Sequence, residues 1–194
     1  MFDWFRSGLA VVSLRGRLWA FLNLVFFVSV FGVAFAVELL FPPELLQGGQ
    51  PQFPTVFGGN IVFIFLGIFL SNLVLSAFVF VTLPGFVFFP FSGGMLVYRG
   101  FLWGVLLRYE PTLLFLVVLP TLVLEGEGYV LAAVGGTVAG VSWVKPKWVY
   151  KEEGVRRSEA FWRALGECWR LYAFVVVILL VAALVETATL AMIT

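Results

Sequence analysis

Five side chains in this sequence carry chemistry that is out of place in their surroundings: Asn72, Arg99, Glu125, Glu127 and Glu186, each within a strongly apolar stretch. A carboxylate held away from water is protonated, paired with a cation or bound to one. Arg99 is the basic residue expected well inside a span, so pairing with Glu186 or Glu125 is the expected arrangement. Carboxylate pairs can also act as acid and base. The chain has no His and a single Cys, Cys168, which excludes Ser-His-Asp and Cys-His nucleophile arrangements, Cys/His metal centres and an internal disulfide. With no phosphate-cradling loop either, the expectation is a non-enzymatic protein with no catalytic residues, no cofactor and no resident metal. A monovalent or divalent cation is the ligand that such an intramembrane cluster would take.

Spacing bears on the two central carboxylates. Residues i and i+2 of a regular helix point about 200° apart, so Glu125 and Glu127 converge only if the backbone leaves the helix. Pro120 removes one helix hydrogen bond, and Gly126 and Gly128 can adopt conformations closed to other residues. An unwound 120–128 would aim both carboxylates into one cavity, as discontinuous helices do in transporters. Alternatively Glu127 lies at an interface or caps a helix starting at Gly128. Asn72 reads either as a ligand contact or as an interhelical hydrogen bond.

The elements that must position these groups belong to a membrane. The 194 residues are 62% hydrophobic and 12% charged, and mean hydropathy is +1.07. Soluble domains average about 45–50% apolar and about 25% charged residues. A surface this apolar, with net charge +1, excludes nucleic acid as a partner. The expected partners are the lipid bilayer and either copies of the same chain or other members of a membrane complex.

Residues 1–17 read as an in-plane amphipathic helix on the cytoplasmic side, with Phe2, Phe5, Leu9 and Val12 at helical spacing beside Arg6, Arg15 and Arg17. The first apolar run, 18–40, is too long for the core of a leader and lacks a small-residue cleavage pattern, so it is expected to be a retained span. The proline- and glycine-rich 41–59 is an irregular outer loop, and 60–83 is a second span. Pro84–Leu107 is a third, broken near Pro90–Gly94. Thr112–Val144, about 50 Å long as one helix, is either an interrupted crossing or a hairpin. Lys145–Arg170 holds seven of the twelve basic residues and the N-terminal arm three more. Positive residues favour the cytoplasm, so an even number of crossings separates the two and the interrupted crossing is preferred.

Within 18–194, a single transmembrane domain, 145–172 reads as a basic cytoplasmic loop and interfacial helix, with Trp143, Trp148, Trp162 and Trp169 as interface anchors. The last span runs from Ala173 to Ile193. The fold class is therefore all-α: a polytopic transmembrane bundle of about five spans, broken or re-entrant near 84–98 and 120–128, with in-plane amphipathic helices. The cell membrane is the expected location, with the N-terminus inside and the C-terminus outside.

Four patches, in order, resemble the stage II sporulation protein M family. FLSNLVLSAF (69–78) looks like its Asn-bearing second span. RGFLWG (99–104) resembles an Asn-Gly-x-x-x-Gly patch. Pro120 to Glu125, with Gly135, Gly136 and Gly140 after it, resembles a Pro-His-Gly-x-x-Glu segment, and AALVE (182–186) a closing Ala-Ala-x-x-Glu. Arg99, Thr121 and Leu122 depart from the family's Asn, His and Gly; Glu125 and Glu186 match, and Glu127 is an addition. The resemblance implies a five-span membrane protein and, by its namesake, a scaffold for partners in a membrane complex.

Overall fold

A computed structural model describes residues 2–41, 60–109, 112–152 and 154–193. The expected outer loop, beyond Phe41, lies outside the described residues. Those residues are helical, with no strand among them. Helix α1 is Phe2–Leu14 and α2 Gly16–Leu40. Helix α3 is Ile61–Val87, α4 Pro90–Tyr109 and α5 Thr112–Val144. The short α6 is Pro146–Tyr150 and the long α7 Arg157–Ile193.

Among the described residues, four helices are long and apolar enough to cross a membrane: α2, α3, the Val118–Val144 part of α5 and the Arg157–Ala191 part of α7. Helix α4, with Arg99 at its middle, is not among them. It nevertheless runs the length of the bundle beside α2 and in the same direction: Gly93 faces Leu22, and Gly104 faces Val30 and Val33. A Cβ on Gly100 would stand 3.0 Å from the Phe26 carbonyl oxygen, so α2 and α4 touch backbone to backbone. Between helices in lipid, close packing of this kind replaces the hydrophobic drive.

Helix α5 is the axis of the bundle. In its apolar window 67% of residues are buried, against 11% in α3 and 17% in α2. Its small residues let neighbours close in. Gly136 abuts Thr82 and Ser92, and Gly140 abuts the backbone of Gly85 and Phe89. The most extensive contact in the molecule is between α5 and α7.

Three differences from the sequence-based expectation have physical reasons. First, α5 is one 33-residue helix through 120–128, with Pro120 inside it. Proline forfeits one hydrogen bond, a loss that membrane helices tolerate when neighbours cover the site. Gly126 and Gly128 do not take the left-handed conformation, which among the described glycines is found at Gly154. They are notches instead: the Phe26 ring packs on Gly126 and Leu179 on Gly128. Second, the break expected within 84–98 is there, but at Phe88, which is extended (φ −147°, ψ 111°), just ahead of Pro90–Gly94. Pro90 opens the next helix and disfavours helix at the residue before it. Third, 154–172 is not a separate interfacial helix. Arg157–Ile193 is a single 37-residue helix, about 55 Å long, whose basic first turns extend past the length needed to span.

The middle of α3, Ser71–Thr82, is a π-helix, a wider winding with i→i+5 bonds that recurs at functional positions. Side-chain hydroxyls serve its carbonyls. Ser92 Oγ donates to Val81 O at 2.8 Å, and Thr82 Oγ1 lies 3.0 Å from Ala77 O.

The two basic segments meet at one end of the bundle. Arg15, between α1 and α2, binds both carboxylate oxygens of Glu167 on α7 at 3.0 Å, and its Nη1 donates to Val149 O at 3.1 Å. Burial, and then the neighbouring Glu167 carboxylate, raise the Tyr150 phenol beside this pair above its ordinary range, so it stays neutral. Both partners are largely buried, and removing one leaves the other uncompensated. Glu167→Ala is expected to destabilise by about 3 kcal/mol. Thermal unfolding of the purified protein, run as a cycle with Arg15→Ala, measures this; strictly additive single effects would show that the pair is not coupled.

Candidate functional site

Four of the five polar residues meet in one cavity of about 430 Å³ between α3, α4, α5 and α7, lined by Asn72, Arg99, Glu125 and Glu186 with Ser71 and Trp103. Each is delivered by a different helix. The π-helical winding of α3 begins at Ser71, so Asn72 sits in its first turn. Arg99 precedes Gly100, whose close approach to α2 fixes the depth of the guanidinium. Glu125 comes from the centre of α5 and is 4% exposed. Glu186 comes from the last turns of α7 that lie within its apolar window.

A fifth residue, Tyr129, joins them. It is fully buried and stands one helical turn beyond Glu125, on the same face. Arg99 Nη2 donates to the Tyr129 hydroxyl at 2.6 Å. That hydroxyl lies 3.0 Å from Glu125 Oε2 and 3.0 Å from Asn72 Oδ1. Having one proton, it can donate to one of the two at a time. Asn72 Nδ2 donates to Glu125 Oε1, so one oxygen of that carboxylate has its own donor and the other shares the phenol proton with Asn72 Oδ1. The Arg99 guanidinium also lies 4.7 Å from the centre of the Tyr129 ring, within range of a cation–π contact.

Arg99 and Glu125 are thus connected through a phenol rather than by direct contact; the ion pairs among the described residues do not include Arg99. The Arg99 Nε–H is buried without a partner. Glu186 makes no hydrogen bond or ion pair with any described residue, and its carboxylate is left to the cavity.

Glu127 is elsewhere, which corrects its inclusion in the cluster. On a continuous helix it points away from Glu125, toward α2, where Trp19 Nε1 donates to Glu127 Oε2 at 3.1 Å. The Asn23 amide, turned so that its nitrogen faces the carboxylate, donates to Glu127 Oε1 at 2.9 Å. Glu127 is therefore a tie between α5 and α2.

Sequence reasoning missed Tyr129. The i, i+4 relation to Glu125 was the available signal, and reading 120–128 as unwound hid it. Trp19 and Asn23 carry the same spacing on α2 and escaped notice for want of a partner on that face.

The chain was compared with known proteins. The family model described as Stage II sporulation protein M matches residues 21–189, a stretch that contains α3, α4, α5 and every residue of the cavity. No curated protein matches the chain, and no solved structure does.

Proposed function

The chain belongs to the stage II sporulation protein M family and is a multi-pass integral membrane protein, and from that premise we propose that it is a non-enzymatic membrane component that takes up a proton or a small cation at its intramembrane cavity. The observation that carries this reading is charge balance. The cavity brings one guanidinium, Arg99, together with two carboxylates, Glu125 and Glu186. With both carboxylates ionised the group is one positive charge short of neutral. In a bilayer an uncompensated charge costs about 2.5–3.5 kcal/mol even by the mildest scale. A proton on one carboxyl, or a bound cation, supplies the missing charge. Glu125 accepts from Asn72 and shares the Tyr129 proton, whereas Glu186 accepts no hydrogen bond from a described residue, so Glu186 is the group that exchanges.

Flux into vesicles containing the purified protein tests this. Wild type should carry protons, Na⁺ or K⁺ above the rate of empty vesicles, and Glu186→Gln should reduce that flux about tenfold while leaving the Tyr129 network intact. No flux of any of the three above empty vesicles would sink the proposal.

A second reading, a scaffold within a membrane complex, is favoured by the basic first turns of α7. Trp162 and Trp169 are 70% and 69% exposed there, among Arg156, Arg157, Arg163 and Arg170. A scaffold should retain partners after gentle solubilisation and lose them in Trp162→Ala/Trp169→Ala; isolation as a clean single species counts against it. In either reading the meeting of Arg15 with Val149 and Glu167 puts the two basic segments at one end of the bundle, and we assign that end to the cytoplasm.

A further inference from the structure

A second cavity, of about 580 Å³, opens at the basic end of the bundle, between the α1–α2 junction, the last turns of α5 and α6. Its volume falls within the range of small-molecule sites, about 300–1,000 Å³. Three cations line it: Arg15, Arg17 and Lys151. The charge of Arg15 is answered by Glu167. The side chains of Arg17 and Lys151 form no hydrogen bond or ion pair with a described residue, and no carboxylate of the described residues lines the cavity. Lys151 is held in place by an uncommon backbone conformation, left-handed at φ 56°. The rest of the lining is largely apolar, with Leu18 and Val141 among it, and Thr137 adds a hydroxyl one turn before Val141 on α5. Lined by both cations and apolar side chains, the cavity has two unanswered positive charges where the apolar helices α2 and α5 reach the end of the bundle.

We propose that this cavity binds the phosphate-bearing headgroup of an anionic phospholipid, with the two free cations on the phosphate and the acyl chains along Leu18 and Val141. The shared chemistry is a phosphate anion. A lipid fits better than a free ion because one wall of the site is hydrocarbon. Basic pockets between membrane helices suit such headgroups, and each nearby Lys or Arg strengthens the attraction several-fold. The inference rests on membrane insertion alone and is independent of what the Glu186 cavity does.

The full-length protein in detergent, titrated with short-chain phosphatidylglycerol, phosphatidylcholine and inorganic phosphate, is the test. Phosphatidylglycerol should bind at least tenfold more tightly than either of the others. Arg17→Gln/Lys151→Gln should weaken it about tenfold or more, and the charge-keeping Arg17→Lys/Lys151→Arg should retain most of the binding, which separates lost charge from lost fold. Equal binding of the two lipids, or an unchanged affinity in the double Gln variant, would overturn the proposal. Inorganic phosphate binding as tightly as phosphatidylglycerol would overturn the lipid assignment in favour of a soluble anion.

Discussion

Tyr129→Phe is expected to destabilise the protein by about 3 kcal/mol or more, although it removes a single oxygen atom from the centre of α5. The hydroxyl is the point at which three helices meet: it accepts from Arg99 on α4 and lies 3.0 Å from both Asn72 on α3 and Glu125 on α5. Phenylalanine keeps the ring and hence the packing. It leaves a guanidinium nitrogen without its acceptor, and Glu125 Oε2 and Asn72 Oδ1 without the one proton they share. A buried group stripped of its partner costs about 1–3 kcal/mol, and more if charged. Thermal unfolding in detergent measures the loss, and a cycle with Arg99→Leu separates network from shape. Once Arg99 is gone, the further effect of Tyr129→Phe should fall to about 1 kcal/mol. A Tyr129→Phe protein as stable as wild type would mean that water substitutes fully for the phenol and that the network does not hold the helices.

Gly140→Val is expected to be comparably severe for a different reason. A Cβ there would meet the carbonyl oxygen of Gly85 and stand 3.0 Å from the Phe89 nitrogen, all of it backbone. Backbone cannot swing aside as a side chain can, so α3 and α5 must part along the crossing that also holds Gly136 against Thr82. Overpacking a close-packed site costs about 1–3 kcal/mol and occasionally more, and here the loss extends along the contact. The matched control is Gly166→Ala, in a helix position where an added Cβ meets nothing within 4 Å; it should be neutral or stabilise by about 0.5–1 kcal/mol. Equal melting temperatures for Gly140→Val and wild type would contradict the close approach of α3 and α5.

How much of this was legible in the residues varies with the kind of signal. The long apolar runs place α2, α3, α5 and α7, because nothing but a bilayer rewards such composition. The glycines at 100/104 and 136/140 are helix contacts, at a spacing of four that the sequence displays. Proline was the misleading signal. Pro120 suggested a broken α5, yet α2 and α7 pack on the turns that follow, at Gly126 and Gly128, and the helix continues. Pro90 does mark a helix start, because it ends no established ladder. The same error carried Glu127 into the cluster: once α5 is regular, its carboxylate must face α2. The π-helical winding of Ser71–Thr82 has no signature in local propensity; two of its carbonyls take hydroxyl partners, one of them from Ser92, which the fold alone brings there.

The partners of the two central carboxylates have one property in common, and it concerns synthesis rather than stability. Glu127 is met by Trp19 and Asn23 from α2, and Glu125 by Asn72 from α3 and, through Tyr129, by Arg99 from α4. All four precede α5 in the chain. Chains emerge from the ribosome N-terminus first, and a lone helix carrying two carboxylates enters lipid reluctantly. Here the helix that carries both acids arrives last among the first five, when the groups that will receive them are already in the membrane. The order of the genetic message is thereby also the order in which the bilayer can accept the protein.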